Sequence, residues 1–161
     1  MIIIVMGVSG SGKTTIGKQL ADSLQWEFSD GDSFHSLENV EKMRRGISLT
    51  EVDRQPWLQA MQRAIAQWLQ ADKNVVLACS ALKESYRQLL IVDKTRIKLV
   101  YLKGSYQLIQ KRLQERKNHY MSEKLLNSQF DVLEEPADAI NVDITAPTGV
   151  IIQTIKTALK L

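Results

Sequence analysis

Gly7-Val8-Ser9-Gly10-Ser11-Gly12-Lys13-Thr14 follows the apolar run Ile2-Ile3-Ile4-Val5-Met6 and leads into Thr15-Ile16-Gly17-Lys18-Gln19-Leu20-Ala21. The pattern is G-x-x-x-x-G-K-[ST] between a buried-type strand and a helix, the context that marks a phosphate-binding loop. Glycines let the backbone fold around an anion, so that several N–H groups and the helix N-terminus point at it. Lys13 then reaches the β- and γ-phosphates of a nucleoside triphosphate, and the Thr14 hydroxyl is placed to hold Mg²⁺. A merely flexible Gly/Ser turn does not account for Lys-Thr at the start of a helix. The loop identifies a phosphate donor and leaves the acceptor to be read elsewhere.

The chain has 161 residues, enough for one domain, 1–161, with a substantial core. Its 44% apolar and 24% charged residues are those of an ordinary globular protein. No apolar run approaches the roughly 18–20 residues of a membrane span. Met1 runs straight into strand one without a basic leader or cleavage site, and the single cysteine, Cys79, excludes an internal disulfide. A reducing, cytoplasmic setting is therefore expected. Between Lys103 and Lys124 stand six basic and two acidic residues, which accounts for the whole net charge of +3. Beside a phosphate loop, such a segment reads as a cluster that closes over polyphosphate; the alternative is a solvated helix face. No basic-aromatic stacking platform calls for nucleic acid.

Further along, Trp26 to Ser29 reads as a short second strand ending in Asp30-Gly31-Asp32, a turn-forming cluster. In open α/β sheets ligands gather at the C-terminal strand edge, which brings both carboxylates near the phosphate loop; an Asx-turn is the alternative for either one. A short helix from Leu37 to Arg45 ends at Gly46. From Trp57 to Leu69 the apolar residues Trp57, Leu58, Met61, Ile65, Trp68 and Leu69 share one helical face and read as core. Thr50-Glu51-Val52-Asp53 has the form of a capping box, yet Pro56 would then lie inside the helix, so Asp53 competes as the cap. Asn74–Cys79 and Ile97–Leu102 are strands three and four, and Ile140–Ile144 the fifth. Helices are expected from Ser80 to about Leu90, from Tyr106 to about Lys117, from Leu125, and from Pro147 to Leu161. Cys79 reads as an inert buried thiol. The whole predicts a five-stranded parallel sheet with helices on both faces and right-handed crossovers, the layout of a small phosphate-loop kinase.

Several motifs then narrow the reading. Asp30-Gly31-Asp32-x-x-His35, Asn39-x-x-Lys42-Met43-x-x-Gly46, Asp53-Arg54-x-Pro56-Trp57-Leu58 and Cys79-Ser80-Ala81-Leu82-Lys83-x-x-Tyr86-Arg87 together closely resemble the gluconate kinases (gluconokinases), relatives of the shikimate-kinase-like group. The late stretch Arg116-Lys117-x-His119-Tyr120-Met121-x-x-x-Leu125-Leu126-x-Ser128-Gln129-Phe130 fits as well. The resemblance implies a nucleoside-monophosphate-kinase-like fold with a mobile lid at roughly 116–128. It implies ATP-dependent phosphorylation of D-gluconate to 6-phosphogluconate with Mg²⁺, in gluconate catabolism, by a homodimer. The chain departs from the family pattern at Ser36, at Gly46-Ile47-Ser48-Leu49 and at Asn118, where the family favours Pro, Gly-x-Pro-Leu and Gly; these changes bear on loop stiffness.

By the same resemblance Asp32 is the carboxylate that accepts a hydrogen bond from the attacking hydroxyl, Asp30 holds Mg²⁺ through water, and Ser80 belongs to the acceptor pocket. Arg54, from its place in the Asp-Arg-x-Pro-Trp motif, is the candidate for the gluconate carboxylate; a surface ion pair with Asp53 or Glu51 is its alternative. Lys83 and Arg87, four apart, are expected as a second anion-binding pair on one helix face. His35 either meets polyol hydroxyls or is structural. Arg112 and Arg116 share a helix face before the lid and are assigned to ATP phosphates, Arg116 as the stabiliser of transferring charge. His119 supports the lid, and adenine packs near Ala146-Pro147. Shikimate- or nucleotide-directed kinases of the same fold are the alternative. A guanine-nucleotide switch lacks its Asn-Lys-x-Asp and Asp-x-x-Gly motifs here.

Overall fold

The computed structural model describes residues 1–116 and 123–161. Apolar runs at the middle of the sheet form strands buried on both faces, as parallel sheets require. The strands are β1 (Ile2–Met6), β2 (Glu27–Asp30), β3 (Val75–Ala78), β4 (Ile97–Lys103) and β5 (Ile140–Asp143), all parallel, in the spatial order β2-β3-β1-β4-β5. The helices are α1 (Lys13–Leu24), α2 (Leu37–Arg44), α3 (Glu51–Gln70), α4 (Glu84–Leu90), α5 (Tyr106–Glu115), α6 (Glu123–Val132) and α7 (Thr148–Leu159). The expected α/β layout is thus the observed one.

Alternation along β1 divides the interior in two. Ile3 and Val5 join a core with α1, α5, α6 and α7, whereas Ile2, Ile4 and Met6 join a second core with α3 and α4. Chain order runs from β1 to one side for β2 and β3 and to the other for β4, so the C-terminal end of β1 is the sheet's switch point. A crevice opens there in doubly wound sheets. The phosphate loop begins at that end.

One boundary left open is settled, and another differs from expectation. α3 does start at the capping box: Thr50 Oγ1 accepts from Asp53 N–H at 3.1 Å and Asp53 Oδ2 from Thr50 N–H at 2.9 Å. Pro56 is accommodated inside the helix, where its missing N–H leaves only the carbonyl of exposed Val52 without its usual partner. The helix expected from Ser80 begins only at Glu84, because Ala81 turns into the left-handed region at φ 45°. The lid expected over 116–128 falls partly outside the described residues, as do His119 and Asn118; from Glu123 onward the chain is already α6. No helix among the described residues is long and apolar enough to cross a membrane.

Candidate active site

The donor side is built by the turn between β1 and α1. Gly10 and Gly12 adopt φ of 82° and 102°, a left-handed backbone that side chains resist. Gly12 caps α1 without contributing a side-chain acceptor, so the first N–H groups of the helix remain for an anion. Inside the turn the Ser11 hydroxyl is buried without a hydrogen-bond partner among the described residues, a cost that a bound polar group offsets. Lys13 folds back to donate from Nζ to Val8 O at 3.0 Å. Burial pushes its pKa down while the Asp32 carboxylate pulls it up. Thr14 is exposed in the first turn of α1. A cavity beside the loop is lined by Gly10, Gly12, Arg112, Arg116 and Ala146. Arg112 donates to Ile144 O at 2.8 Å, and Arg116 forms the C-cap of α5.

The acceptor side is built around one turn of 3₁₀ helix, Gly31–Phe34, directly after β2. Asp30 Oδ1 accepts the Asp32 N–H at 2.9 Å and Ser33 Oγ donates to Asp30 O at 2.6 Å, so the first aspartate shapes the turn that presents the second. A β-carbon on Gly31 would lie 2.7 Å from Ala78 O, which is why the turn can sit this close to β3. From α3, Trp57 Nε1 donates to Gly31 O at 2.8 Å while its ring stacks on His35 at 4.4 Å and 9°. Burial raises the Asp32 pKa, and the Lys13 ammonium counters it. Burial, helped by the Arg54 charge, lowers His35 to about 4 and keeps it neutral at pH 7. Lys13, Asp32, His35, Arg54 and Ser80 line a single cavity, together with Ser48, Ser128 and Gln129. Arg54 Nη1 donates to Tyr86 OH at 3.3 Å and lies 3.6 Å from Glu51 Oε1, half in an ion pair and half toward the cavity.

Hard oxygen donors next to a phosphate-loop lysine suit Mg²⁺, which is bound through few protein ligands plus phosphate and water. Thr14 and Asp30 are of that chemistry, and Asp30 and Asp32 both act on the Lys13 charge. The loop and both side chains therefore fit a magnesium nucleotide.

The profile of the family described as shikimate kinase matches residues 9–157. The thermoresistant gluconokinase of Escherichia coli is 40% identical over 164 residues, covering 99% of this chain and 94% of that one. Among solved structures, a gluconokinase from Sinorhizobium meliloti superposes with a TM-score of 0.87 at 38% identity, over 98% of this chain and 90% of the other. The chain belongs to the gluconokinase family. A sugar kinase from Janibacter sp. is also similar, with a TM-score of 0.91, 39% identity and coverage of 99% and 94%.

Several residues shared with gluconokinase motifs turn out to brace the site. Asn39 Nδ2 donates to Asp53 O at 2.8 Å and Lys42 Nζ pairs with Asp53 Oδ1 at 3.0 Å, which docks α2 on the start of α3. Ser36, where the family favours Pro, caps α2 by accepting the Asn39 N–H at 3.1 Å. Ser48 lines the cavity itself, so that departure reaches the site as well as its loop. Cys79 is buried and its thiol is pushed up to about 12, the inert state expected of it.

The expected anion-binding pair of Lys83 and Arg87 is not brought together. Lys83 precedes α4 and pairs with Glu51 Oε1 at 2.7 Å, outside the acceptor cavity. Arg87 is only 3% exposed. Its guanidinium donates to Ala81 O and Glu134 O, both at 2.8 Å, and to Glu84 Oε2 at 3.0 Å. It thus clamps the left-handed Ala81 turn, next to Ser80, against the segment after α6. Replacing Arg87 with Met would strand both carbonyls. Unfolding in urea is expected to show a loss on the order of 2–4 kcal/mol; a change within 0.5 kcal/mol, about the ordinary surface value, would mean that the clamp holds nothing. Ser48, Ser128 and Gln129 were not assigned from the sequence, although Ser128-Gln129 lies in a family motif.

Proposed function

We propose that this chain transfers the γ-phosphoryl group of ATP to the 6-hydroxyl of D-gluconate, giving 6-phospho-D-gluconate and ADP. The observation that carries the reading is the meeting of Lys13, Asp32 and Arg54 in one cavity at the switch point of the sheet. Phosphoryl transfer proceeds through a loose transition state, so catalysis is mainly positioning and charge stabilisation. Arg54 takes the sugar-acid carboxylate in a bidentate pair. Asp32 accepts a hydrogen bond from the hydroxyl at the far end of the chain and aims it at the phosphorus. Neutral His35 and Ser80 hold intermediate hydroxyls. The phosphate loop and Lys13 orient the phosphates, with Arg112 and Arg116 on the flank of the nucleotide cavity, and adenine lies against Ala146. Thr14 and, through water, Asp30 would hold Mg²⁺, which would supply charge neutralisation at the phosphates. The lid at about 116–128 excludes water, which otherwise competes as acceptor. A cytoplasmic homodimer completes the reading.

An ADP-release assay across gluconate, shikimate and nucleoside monophosphates tests it. Turnover is expected with gluconate; no signal there, with another acceptor turning over, overturns the assignment. Within the cavity, Arg54→Lys is expected to raise the gluconate KM about 10-fold or more with the ATP KM little changed, because a lysine cannot form the bidentate pair. Equal changes in the two constants would remove Arg54 from the carboxylate site.

A further inference from the structure

The roles above leave several polar side chains of the cavity unused, Gln129 among them. Gln129, in α6, accepts the N–H of Ser9 on its Oε1 at 2.7 Å, across 120 residues of sequence. Ser9 is the third residue of the phosphate loop, and both residues line the cavity that holds Lys13 and Asp32. The contact therefore joins the donor loop to the acceptor wall directly. α6 is pinned just beyond its C-terminus, where Glu134 N–H donates to Leu82 O at 2.8 Å and Arg87 holds Glu134 O. Gln129 lies beyond the proposed lid, in the last turn of α6, where its carbonyl accepts the Leu133 N–H at 3.0 Å, so its carboxamide can turn from Ser9 while this end of the helix stays in place.

A loop N–H is a donor for which a phosphoryl oxygen is a stronger acceptor than a neutral carboxamide, since hydrogen bonds to charged acceptors are about twice as strong. Resting on the proposed function, we propose that Gln129 is a positioning residue that couples the two substrate sites. Without nucleotide it occupies the Ser9 N–H. A γ-phosphoryl group takes that donor over, and the released carboxamide turns to the hydroxyls of the acceptor. Coupling of this kind is reciprocal: each substrate tightens the other by the same factor.

The test is calorimetric titration of gluconate into the protein alone, with ADP, and with a non-hydrolysable ATP analogue, Mg²⁺ being present throughout. The analogue is expected to tighten gluconate by about 5-fold to 10-fold in the wild type, with ADP lacking the effect. Gln129→Met should bring that ratio to about 1 and leave gluconate affinity in the nucleotide-free protein within about twofold. Gln129→Glu keeps an acceptor for Ser9 but charges it, and is expected to weaken the analogue more than ADP. An unchanged ratio in Gln129→Met, or equal effects of analogue and ADP on the wild type, overturns the coupling. Absence of gluconate binding to the wild type under every condition overturns the proposed function instead.

Discussion

Lys13→Ala is expected to lose phosphoryl transfer by about 10³-fold or more, the scale of removing a preorganised charge that follows the transferring group. The fold should survive, because the Lys13 ammonium is tied only to the nearby Val8 carbonyl among its described hydrogen bonds and the loop's glycine geometry does not need it. The loss should fall on kcat more than on the KM for gluconate. A variant that turns over near the wild-type rate with unchanged melting would remove the loop lysine from the chemistry. The substitution has a second reading through its neighbour. Lys13 is what counters the burial of Asp32, so its removal should raise the Asp32 pKa further.

Asp32→Asn is expected to lower kcat by about 10²–10⁴-fold while both KM values stay within a few-fold, since an amide is nearly the same size but a poor proton acceptor. The turn itself should persist. It is held through the backbone N–H of Asp32 to Asp30 and through the Trp57 bond to Gly31, neither of which uses the Asp32 carboxylate. Under the proposed mechanism the ionised carboxylate is the active form. Its pKa is raised by burial, so activity should be lost on acidification through a value above the ordinary carboxylate range. A kcat/KM profile that falls only within the ordinary range, or an Asn variant retaining the same acid limb, would assign that limb to another group. For stability the sign is opposite to the usual acid case: a raised folded pKa contributes most below the unfolded value and is lost as pH rises through the folded one.

The fold was legible because its signals are local. An apolar run, a glycine-rich turn with Lys-Thr, and helical spacing from Trp57 to Leu69 each depend on neighbours in sequence, and strand ends were recovered to within one residue. The turn carrying Asp30 and Asp32 was legible for the same reason. Arg87 was misplaced because its partners include a carbonyl 47 residues away, and i,i+4 spacing cannot report whether a face turns outward or is buried. The Gln129 contact spans 120 residues and leaves no periodic trace. Pro56 left the start of α3 open between Thr50 and Asp53, because local spacing does not show that the rule against internal proline weighs little where the deprived carbonyl belongs to an exposed residue.

The division of the interior by β1 has a consequence for how such a protein changes over time. The donor loop leans on the core shared by α1, α5, α6 and α7, whereas the acceptor turn leans through Trp57 on the core of α3 and α4. The acceptor cavity itself is lined from both cores, by Trp57 and Tyr86 from one and by Leu82 and Leu125 from the other. Substitutions at Leu82 or Leu125 therefore disturb the core beneath the nucleotide loop, whereas those at Trp57 and Tyr86 leave it standing. A fold arranged in this way can explore new acceptors from the α3 side without first giving up its donor.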